Sequence, residues 1–170
     1  MASNQPTQAL NVVVSDTINI PEPGAYITGT SSSGTGTTIT DASANFLGTT
    51  NPAATGYANR VSVGDVVYVI DGATITIVRV TSVTDNNNLV VSASVTGIKP
   101  YQIYRSNGDF KNVSEGFSLF VGGAGNIAVV PACSDQVVVL ENIPDSSFIP
   151  LQVKRVNSTD TTATKIIALR

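Results

Sequence analysis

Apolar residues alternate with polar ones along much of the chain, which is the two-residue period of a β-strand. In the first such stretch the apolar side chains occupy even positions only, at Leu10, Val12, Val14, Ile18 and Ile20. The stretch ends at the sequence PEPG of residues 21–24. Because proline and glycine interrupt strands, the pattern predicts a first strand or strand pair before residue 21.

The alternation is clearest in residues 61–95. A strand is predicted at residues 66–70, and the Asp71-Gly72 dipeptide that follows is typical of a two-residue hairpin turn. In the returning strand the apolar positions change parity near Ile77. We expect a β-bulge there, because one extra residue restores the side chains to the same face.

The remainder of this central region contains further turn and strand signals. From about residue 27 the sequence TGTSSSGTGTTITD is rich in Ser, Thr and Gly, which predicts a loop that enters a new unit. Asp41 is placed to cap the short segment ASANF that follows. A polar turn, DNNN at residues 85–88, precedes a strand at residues 89–95, and YQIYR follows at 101–105. Four or five short strands in about 80 residues predict a small barrel or a compact sheet.

Five more strand-like segments occupy the C-terminal third of the chain: FSLFV, NIAVV, QVVVL, FIPLQVKRV and TKIIALR. Short turns are predicted between them, at residues 122–125, 131–135, 143–147 and 157–162. We expect an antiparallel meander or a Greek key. The fold class predicted for the whole chain is all-β: an antiparallel sandwich or barrel-like module, split by an inserted small β-barrel or β-sheet module.

One glycine motif resembles a cofactor loop. Gly123, Gly125 and Ala128 spell G-x-G-x-x-A, and the acidic residue Glu141 lies at about the spacing that a dinucleotide fold requires. That fold also needs a helix starting at the second glycine, to hold the pyrophosphate. Here the residues after Gly125 are NIAVVP, a run rich in β-branched side chains that ends at a proline, so no helix is expected. We therefore expect a hairpin turn formed by Gly122, Gly123 and Gly125, and no cofactor.

Composition and charge exclude several functions. Val (23 residues) and Thr (20 residues) make up a quarter of the chain, which favours strands. Only 12% of the residues are charged and the net charge is −3, so no basic surface for nucleic acid is expected. No apolar run is long enough to span a bilayer, and the polar N-terminus lacks the pattern of a secretion signal. These features predict synthesis in a cytoplasm and no membrane partner.

The candidate chemistry is sparse. The chain has no histidine, which removes the Ser-His-Asp and Cys-His forms of catalysis and the usual zinc centres. Most of the acidic residues stand beside Gly, Asn, Pro or Ser, as turn residues do, and their spacing singles out no glycosidase pair. The DNNN turn lacks the repeated carboxylates of a calcium loop. We expect no enzymatic activity and no bound metal.

The C-terminal half and the first strands resemble the spike base protein family of gene transfer agents and tailed bacteriophages. That family has a strand and turn of the form LYVGGAGDV, a turn of the NVPAG type, the sequence LPVRVxRV and a terminal TGTTATGIVAL. The present chain is similar at Leu119 to Val129, Glu141 to Pro144, Ile149 to Val156 and Asp160 to Leu169, and LNVVVSDTINIPEPGAY is similar to the first strands.

This resemblance covers about 80 residues in two pieces, and it suggests a division of the chain. Residues 1–8 are expected to be a flexible N-terminal arm. Residues 9–26 and 110–170 form a spike-base-like β module, and residues 27–109 form an inserted small β module that departs from the family pattern. The insert is similar in style to small β modules that recur in phage virion proteins.

For function, the resemblance implies a non-enzymatic virion protein that decorates the head, at the vertices, and serves as the base for a spike or fibre. The implied partners are the major capsid protein and a spike or fibre protein, and assembly would take place in the host cytoplasm. A tail or baseplate adaptor and a glycan-binding receptor module are the alternatives from another class. A polysaccharide-degrading enzyme is a more distant alternative.

Two further expectations concern assembly. Modules of about 80 residues bury little surface alone, so a homo-oligomer is expected, with a pentamer favoured and a trimer next. Basic residues gather late in an otherwise acidic chain and are candidate contacts to the capsid or another partner: Lys154, Arg155, Lys165 and Arg170. Solvated strand ends would produce the same pattern.

Overall fold

The computed structural model of the chain describes residues 6–21, 23, 26–48, 61–104 and 116–170. Within these ranges all of the regular secondary structure is β-strand, and every strand pair is antiparallel. The thirteen strands form two separate sheets of six and seven strands, and neither sheet closes into a barrel. The all-β antiparallel fold class predicted from the alternating pattern is confirmed.

The chain divides into two compact units. One unit, the split unit, combines Met1–Gly24 with Asp109–Arg170, and the other, the continuous unit, is Ala25–Gly108. The inserted module expected from sequence, residues 27–109, has its boundaries within two residues of the continuous unit. Each unit has its own sheet and its own apolar core.

The split unit contains the six-stranded sheet, in the spatial order β1-β13-β9-β12-β10-β11. Its strands are β1 (Ala9–Asn11), β9 (Phe117–Gly123), β10 (Gly125–Pro131), β11 (Val138–Ile143), β12 (Ser147–Val156) and β13 (Thr164–Leu169). Alternate side chains of these strands form the core, including Phe117, Leu119, Val121, Ile127 and Val153, all of which are fully buried. Among these strands only β10 and β11 are both consecutive in sequence and paired. Of the two predicted arrangements, a meander or a Greek key, the meander is therefore wrong.

The N-terminal alternating stretch forms a shorter strand than expected. Regular pairing ends at Asn11, but the backbone N–H groups of Val12 and Ile20 donate to Ile166 and Lys154 carbonyls, each at 2.9 Å. The segment therefore runs along the sheet without belonging to it. Ile18 and Ile20 are buried, and Leu10 and Val12 pack against the core, which accounts for the apolar residues at even positions except Val14, which is exposed.

The glycine-rich sequence of residues 122–125 does not form a hairpin, so this prediction is wrong. Gly122 and Gly123 are the last residues of β9, Gly125 is the first of β10, and the two strands are not paired with each other. The start of β13 packs closely against this connection: a Cβ at Gly125 would lie 2.6 Å from the Ala163 nitrogen. Gly125 also has a φ of 149°. The glycines are required by close backbone approach and by positive φ.

The continuous unit contains the seven-stranded sheet, in the order β2-β8-β5-β6-β7-β4-β3. Its strands are β2 (Tyr26–Thr30), β3 (Ser33–Thr35), β4 (Thr38–Thr40), β5 (Val66–Asp71), β6 (Thr74–Val83), β7 (Asn88–Val91) and β8 (Pro100–Tyr104). Side chains of Ile39, Phe46, Val67, Val78 and Leu89 lie at the centre of its core. The edge strands β2 and β3 are consecutive along the chain, separated by Ser31 and Ser32. The loop predicted for the Ser-, Thr- and Gly-rich stretch from residue 27 is wrong, because β2, β3 and β4 lie there and pair with β8, with each other and with β7.

The hairpin predicted at Asp71-Gly72 exists, with its turn shifted by one residue. Asp71 pairs with Thr74 as the last residue of β5, so the turn residues are Gly72 and Ala73. Gly72 has a φ of 60°, and a positive φ at the first turn residue alone is the pattern of a type II′ turn. Glycine is the residue that adopts this conformation without strain.

The β-bulge predicted near Ile77 is wrong in its position. Pairing between β5 and β6 is regular throughout, and the register shift lies between Val80 and Ser82, on the β7 side of β6. The apolar positions change parity at Ile77 because β6 carries apolar side chains on both faces of the sheet. Val78 and Val80 point into the core, whereas Ile77 is half-buried on the opposite face.

Candidate functional site

The four basic residues proposed as partner contacts do not form one cluster. Lys154 and Arg155 lie near the end of β12, and Arg170 follows the end of β13. Lys165 lies near the start of β13, opposite Gly122, about 17 Å from Arg170 along the extended strand. The structure therefore places Lys165 at the other end of the sheet.

Two of these residues are already engaged within the split unit. The Lys154 ammonium contacts Asp135 Oδ1 at 2.6 Å, and this hydrogen bond and charge hold the pKa of Asp135 below its usual range. Arg155 donates to Asn157 Oδ1 at 3.0 Å and to Asn19 Oδ1 at 3.5 Å. Asp135 compensates the charge of Lys154, and two neutral amide oxygens hold the Arg155 guanidinium in place. These two residues are therefore weaker candidate contacts than their sequence positions indicate.

A different surface of the split unit is exposed and apolar. β11 is an edge strand, paired only with β10 among the described residues. Val137, Val138 and Val139 are 46%, 41% and 39% exposed. Because successive side chains of a strand point to opposite faces, apolar groups are exposed on both faces of this edge. We name Val137–Val139 the β11 edge; the run of three valines in QVVVL was its sequence signal.

The continuous unit contains a cleft of about 370 Å³ between the edge strand β2 and the segment Asp41–Phe46. We name it the β2 cleft. Its lining residues are Tyr26, Ile27, Thr28, Gly29, Asp41, Ser43, Ala44, Asn45, Phe46 and Tyr101. Polar groups predominate in this lining, and the described residues that form it include no Lys or Arg. Sequence reasoning did not find this cleft, although it singled out Asp41.

Asp41 is a buried carboxylate, 3% exposed, with hydrogen-bond donors on both oxygens. Oδ1 accepts from the Ser43 N–H at 2.9 Å and the Ser43 hydroxyl at 2.7 Å, as expected of a residue that caps ASANF. Oδ2 accepts from the Tyr101 hydroxyl at 2.6 Å. Burial by itself raises the pKa of Asp41, but these hydrogen bonds together bring it below the usual value. The carboxylate is therefore ionised at neutral pH.

Tyr101 reaches Asp41 because β2 carries no side chain at the position opposite. Tyr101 on β8 pairs with Gly29 on β2. A Cβ at Gly29 would overlap the Tyr101 hydroxyl and lie 2.8 Å from Asp41 Oδ2. Burial, together with the hydrogen bond to Asp41, raises the pKa of the Tyr101 hydroxyl strongly. The phenol is thus a permanent donor to the carboxylate.

The segment Asp41–Phe46 has no regular structure, yet it is held firmly by one side chain. The Asn87 amide nitrogen donates to the carbonyls of Asp41, Ala42 and Ala44 at 3.0, 3.2 and 3.1 Å. Asn87 belongs to the DNNN turn, so its role is to clamp this segment. The Asp85 carboxylate of the same turn accepts from the Asn87 N–H and the Asn88 amide.

Tyr26, the first residue of β2, borders the β2 cleft, but its ring lies on the other face of the sheet from Tyr101. Tyr26 pairs with Tyr104, whereas Gly29 pairs with Tyr101, and side chains three residues apart on a strand point to opposite faces. Its side chain is 52% exposed, and its ring centroid lies 5.4 Å from that of Tyr104. The Tyr104 ring in turn packs edge-on against Tyr68, with centroids 4.9 Å apart. Burial, with a smaller contribution from Tyr26, raises the pKa of Tyr104 to about 12. The three rings place one aromatic face at the surface, supported from behind.

The free edge of β2 also presents backbone groups to the cleft. Ser31 donates its N–H to the Lys99 carbonyl at 3.0 Å. Since hydrogen-bonding residues alternate along an antiparallel strand, Gly29 and Ile27 bond to β8, and the peptide groups of Thr28 face away from it. Thr28 thus offers one backbone donor and one acceptor to the cleft.

Comparisons of the chain with protein-family models, with curated proteins and with solved structures find no match. The described residues contain no group of three or more His, Cys, Asp or Glu side chains placed to hold a metal ion. Within those same residues no helix has the length and apolarity needed to cross a membrane.

Proposed function

We propose that this protein is a non-enzymatic structural component of a tailed bacteriophage or related particle. It decorates the head at the vertices and serves as the base for a spike or fibre. Its partners are further copies of itself, the major capsid protein and the spike or fibre protein. The particle surface is its final location.

The observation that carries this proposal is the way the family-like segments fold together. The segments Leu119 to Val129, Glu141 to Pro144, Ile149 to Val156 and Asp160 to Leu169 contribute to five strands of one sheet, and the N-terminal segment supplies the sixth. The residues that depart from the family pattern make up the continuous unit. The resemblance therefore follows a structural unit, which supports a shared role for it.

Assembly of several copies is the second part of the proposal. Among the described residues β11 has no partner strand on its outer side, and the β11 edge carries apolar side chains on both faces. Soluble monomers avoid this combination. A second copy of the chain buries this edge, and a closed ring of five copies, or of three, suits a position on a symmetry axis. The charge of Lys165, on an exposed side chain, is available to an acidic partner.

Substitution at the β11 edge tests assembly. Val138→Lys introduces a charge into a strand edge and is expected to lower the oligomer mass measured by light scattering at micromolar concentration. The control is Val63→Lys, since Val63 is 67% exposed but lies in the continuous unit. A wild-type chain that is monomeric and does not bind capsids would overturn the proposal.

A map of the assembled particle tests location. Density for the chain at the head vertices, with a copy number that matches them, is the expected result. Density at the tail or baseplate would instead support the tail adaptor alternative. In a binding assay, Lys165→Glu is expected to weaken capsid attachment most at low salt. An equal loss at high salt would exclude an electrostatic contact.

A further inference from the structure

We propose that the β11 edge of one copy pairs with β1 of the next copy, with Val139 directly opposite Ala9. The six-stranded sheets of neighbouring copies then form one continuous antiparallel sheet around the ring. This inference rests on the assembly proposed above and deepens it, because it names the surface that receives the β11 edge. It follows from the symmetry of a ring, from the direction of the two edge strands and from the side chains along them.

A ring requires two different surfaces on every copy. When three or five copies close head to tail, the surface that one copy offers is received by a different surface of its neighbour. The β11 edge is one of the two. β1 lies at the opposite end of the same sheet, and among the described residues it pairs with β13 alone. Its other side is therefore the second edge that this sheet offers to a neighbour.

The two edge strands run in opposite directions. Five antiparallel pairs lie between β1 and β11 in the order of the sheet, so the chain direction reverses five times. A rotation about an axis parallel to the strands changes neither the strand direction nor the side on which the core lies. β11 of one copy therefore meets β1 of the next as an antiparallel strand, with both cores on the same side of the joined sheet.

Peptide groups of β1 point towards the neighbour. Gln8 and Arg170 exchange two backbone hydrogen bonds, at 2.8 and 3.0 Å, so the peptide groups of Gln8 face the β13 side. Hydrogen-bonding residues alternate along an antiparallel strand. The N–H and carbonyl of Ala9, an exposed residue, consequently face away from β13. One donor and one acceptor of β1 are thus directed at an incoming strand.

Peptide groups of β11 point outward in the same way. Val139 lies opposite Ala128 of β10. The Ala128 carbonyl accepts from the Asn157 N–H at 2.8 Å, and the Ala128 N–H donates to the Thr161 hydroxyl at 2.9 Å, so both groups are directed away from β11. By the same alternation the N–H and carbonyl of Val139 face away from β10. Ala9 and Val139 can therefore exchange two hydrogen bonds.

The side chains match on both faces of the joined sheet. Leu10 packs against the core of the split unit, and Val138 lies opposite the core residue Val129. With Ala9 opposite Val139, Leu10 lies beside Val138 on the core side. Ala9 and Val139 meet on the other side, where the small alanine side chain leaves room for the valine. The pairing thus extends the apolar core from one copy to the next.

The chemistry of the two edges favours this register. β1 has the sequence ALN and the β11 edge VVV, without the charged residues or proline that keep natural edge strands apart. A shift by two residues in one direction would place Glu141 opposite Ala9 and leave Val137 beyond the end of β1. A shift in the other direction would bring Asp135 into the pairing. The register with Val139 opposite Ala9 uses all three valines and includes no charged side chain.

A contact between two β11 edges about a two-fold axis is the competing arrangement. It is also antiparallel, but it closes at two copies and leaves β1 without a partner in the neighbour. In a ring every copy is held at both edges, so removal of one copy breaks two contacts and closure reinforces the short pairing at β1. The threefold or fivefold symmetry proposed above therefore requires the head-to-tail contact.

Disulfide cross-linking tests the pairing in the full-length chain. Cys133→Ser removes the exposed native thiol, and Ala9→Cys is combined with Val139→Cys. The Cα atoms of a hydrogen-bonded pair lie about 5.5 Å apart, within the range that a disulfide spans. Within one copy five strand spacings, about 24 Å, separate the two edges, so a disulfide joins two copies. Mild oxidation should give a ladder of cross-linked chains that ends at three or five on a non-reducing gel.

Three variants in the same Cys133→Ser background are the controls. They are Ala9→Cys alone, Val139→Cys alone, and Ala9→Cys combined with Val138→Cys, whose side chain lies on the opposite face; none of them should give the ladder. No ladder from the Ala9→Cys, Val139→Cys chain would overturn the proposal, and so would dimers from Val139→Cys alone, which indicate the two-fold contact. Either result leaves the proposed assembly standing, whereas a monomeric wild-type chain would overturn both.

Ala9→Lys is an independent test that needs no disulfide. Ala9 is exposed and lies at the other end of the sheet from the β11 edge, so only a contact between copies links the two sites. Like Val138→Lys, Ala9→Lys should reduce the oligomer mass measured by light scattering to that of single chains. Val14→Lys is the matched control, because Val14 is 36% exposed in the same N-terminal segment but lies outside β1. An unchanged mass for Ala9→Lys would contradict the pairing.

Discussion

At the scale of single residues, Asp41 shows how a short polar side chain organises the continuous unit. Its carboxylate joins the Asp41–Phe46 segment to Tyr101, which lies sixty residues away in the sequence. Hydrogen bonds to an ionised acceptor contribute more than neutral ones, about 1.5–3 kcal/mol each. Asp41 is therefore expected to contribute both to stability and to its dependence on pH.

We expect Asp41→Asn to lower the free energy of unfolding at neutral pH by about 2 kcal/mol. The folded-state pKa of Asp41 is lowered, so the stability it contributes is present above the unfolded-state pKa, near 3.8, and is lost as the pH falls through the folded-state pKa. Urea unfolding from pH 7 to pH 2 should show this loss in the wild type and a smaller loss in the variant. Asp145→Asn, at an exposed turn, is the control; equal effects of the two substitutions would contradict the assignment.

Gly125 provides a second prediction at this scale. Gly125→Ala should cost roughly 2–4 kcal/mol, because the new Cβ meets the backbone of Ala163 as well as an unfavourable φ. Gly72→Ala has the same kind of φ problem but no atom within 4 Å, so about 1 kcal/mol is expected. Denaturant melts of both variants measure the difference. Equal costs would mean that close approach is unimportant at Gly125, and saturable NAD or FAD binding by the wild type would revive the cofactor hypothesis.

At the scale of elements, irregular segments in this fold depend on side chains from distant turns. The Asp41–Phe46 segment is one example, since its carbonyls are satisfied by Asn87. The other is the connection from β12 to β13, where Asp16 accepts from the Ser158 hydroxyl at 2.7 Å and from the Thr159 N–H at 2.9 Å. In both cases a polar residue in a turn replaces the pairing that a strand would supply.

We therefore expect Asn87→Ala to loosen the Asp41–Phe46 segment. Three carbonyls lose this donor, two of them part-buried and the third, that of Ala42, exposed, at a cost of about 2–3 kcal/mol. Hydrogen exchange at the Ser43 and Phe46 amides should accelerate, while exchange in β9 and β12 stays unchanged. Asn86→Ala is the control, because Asn86 contacts Phe46 through its backbone carbonyl only. Unchanged exchange at Phe46 in the Asn87 variant would show that the clamp is dispensable.

At the scale of the whole molecule, the chain is built as two units with separate cores. All strands of the six-stranded sheet come from the two terminal pieces, and all strands of the seven-stranded sheet come from the middle. In the part of the chain that the structure describes, no strand pair joins the two sheets. Insertions of this kind are tolerated when the flanking module can fold without them.

We predict that replacing residues 27–109 with a short Gly-Ser linker leaves the split unit folded. Circular dichroism should keep its β signal, and thermal melting should stay cooperative, because the core around Phe117, Leu119 and Val153 lies wholly within the remaining residues. Binding to capsids should also persist if the split unit makes that contact. Loss of all cooperative unfolding would show that the two units depend on each other.

Local sequence by itself determined most of the strands and much of the turn chemistry. The exceptions are β2, β3 and β4, which lie in a Ser-, Thr- and Gly-rich stretch that predicts a loop. The alternation around Val67 and Val69 predicts β5, and Asp71-Gly72 predicts the following hairpin to within one residue, because both signals come from neighbours in sequence. The basis of the division near residues 27 and 109 was likewise a change in composition and in resemblance along the chain.

Only the tertiary structure decided which strands pair and which polar groups meet. The local sequence predicts Gly125 to be a hairpin residue. Its actual requirement, the close approach of its backbone to Ala163, depends on a segment that follows it by some forty residues and is invisible to its neighbours in sequence. The β2 cleft brings together Gly29, Asp41, Asn87 and Tyr101, which no local pattern connects. Antiparallel pairing is a long-range property: alternation specifies which face of a strand is buried but not its neighbour. The candidate site is therefore a product of the fold, and the strands are a product of the sequence.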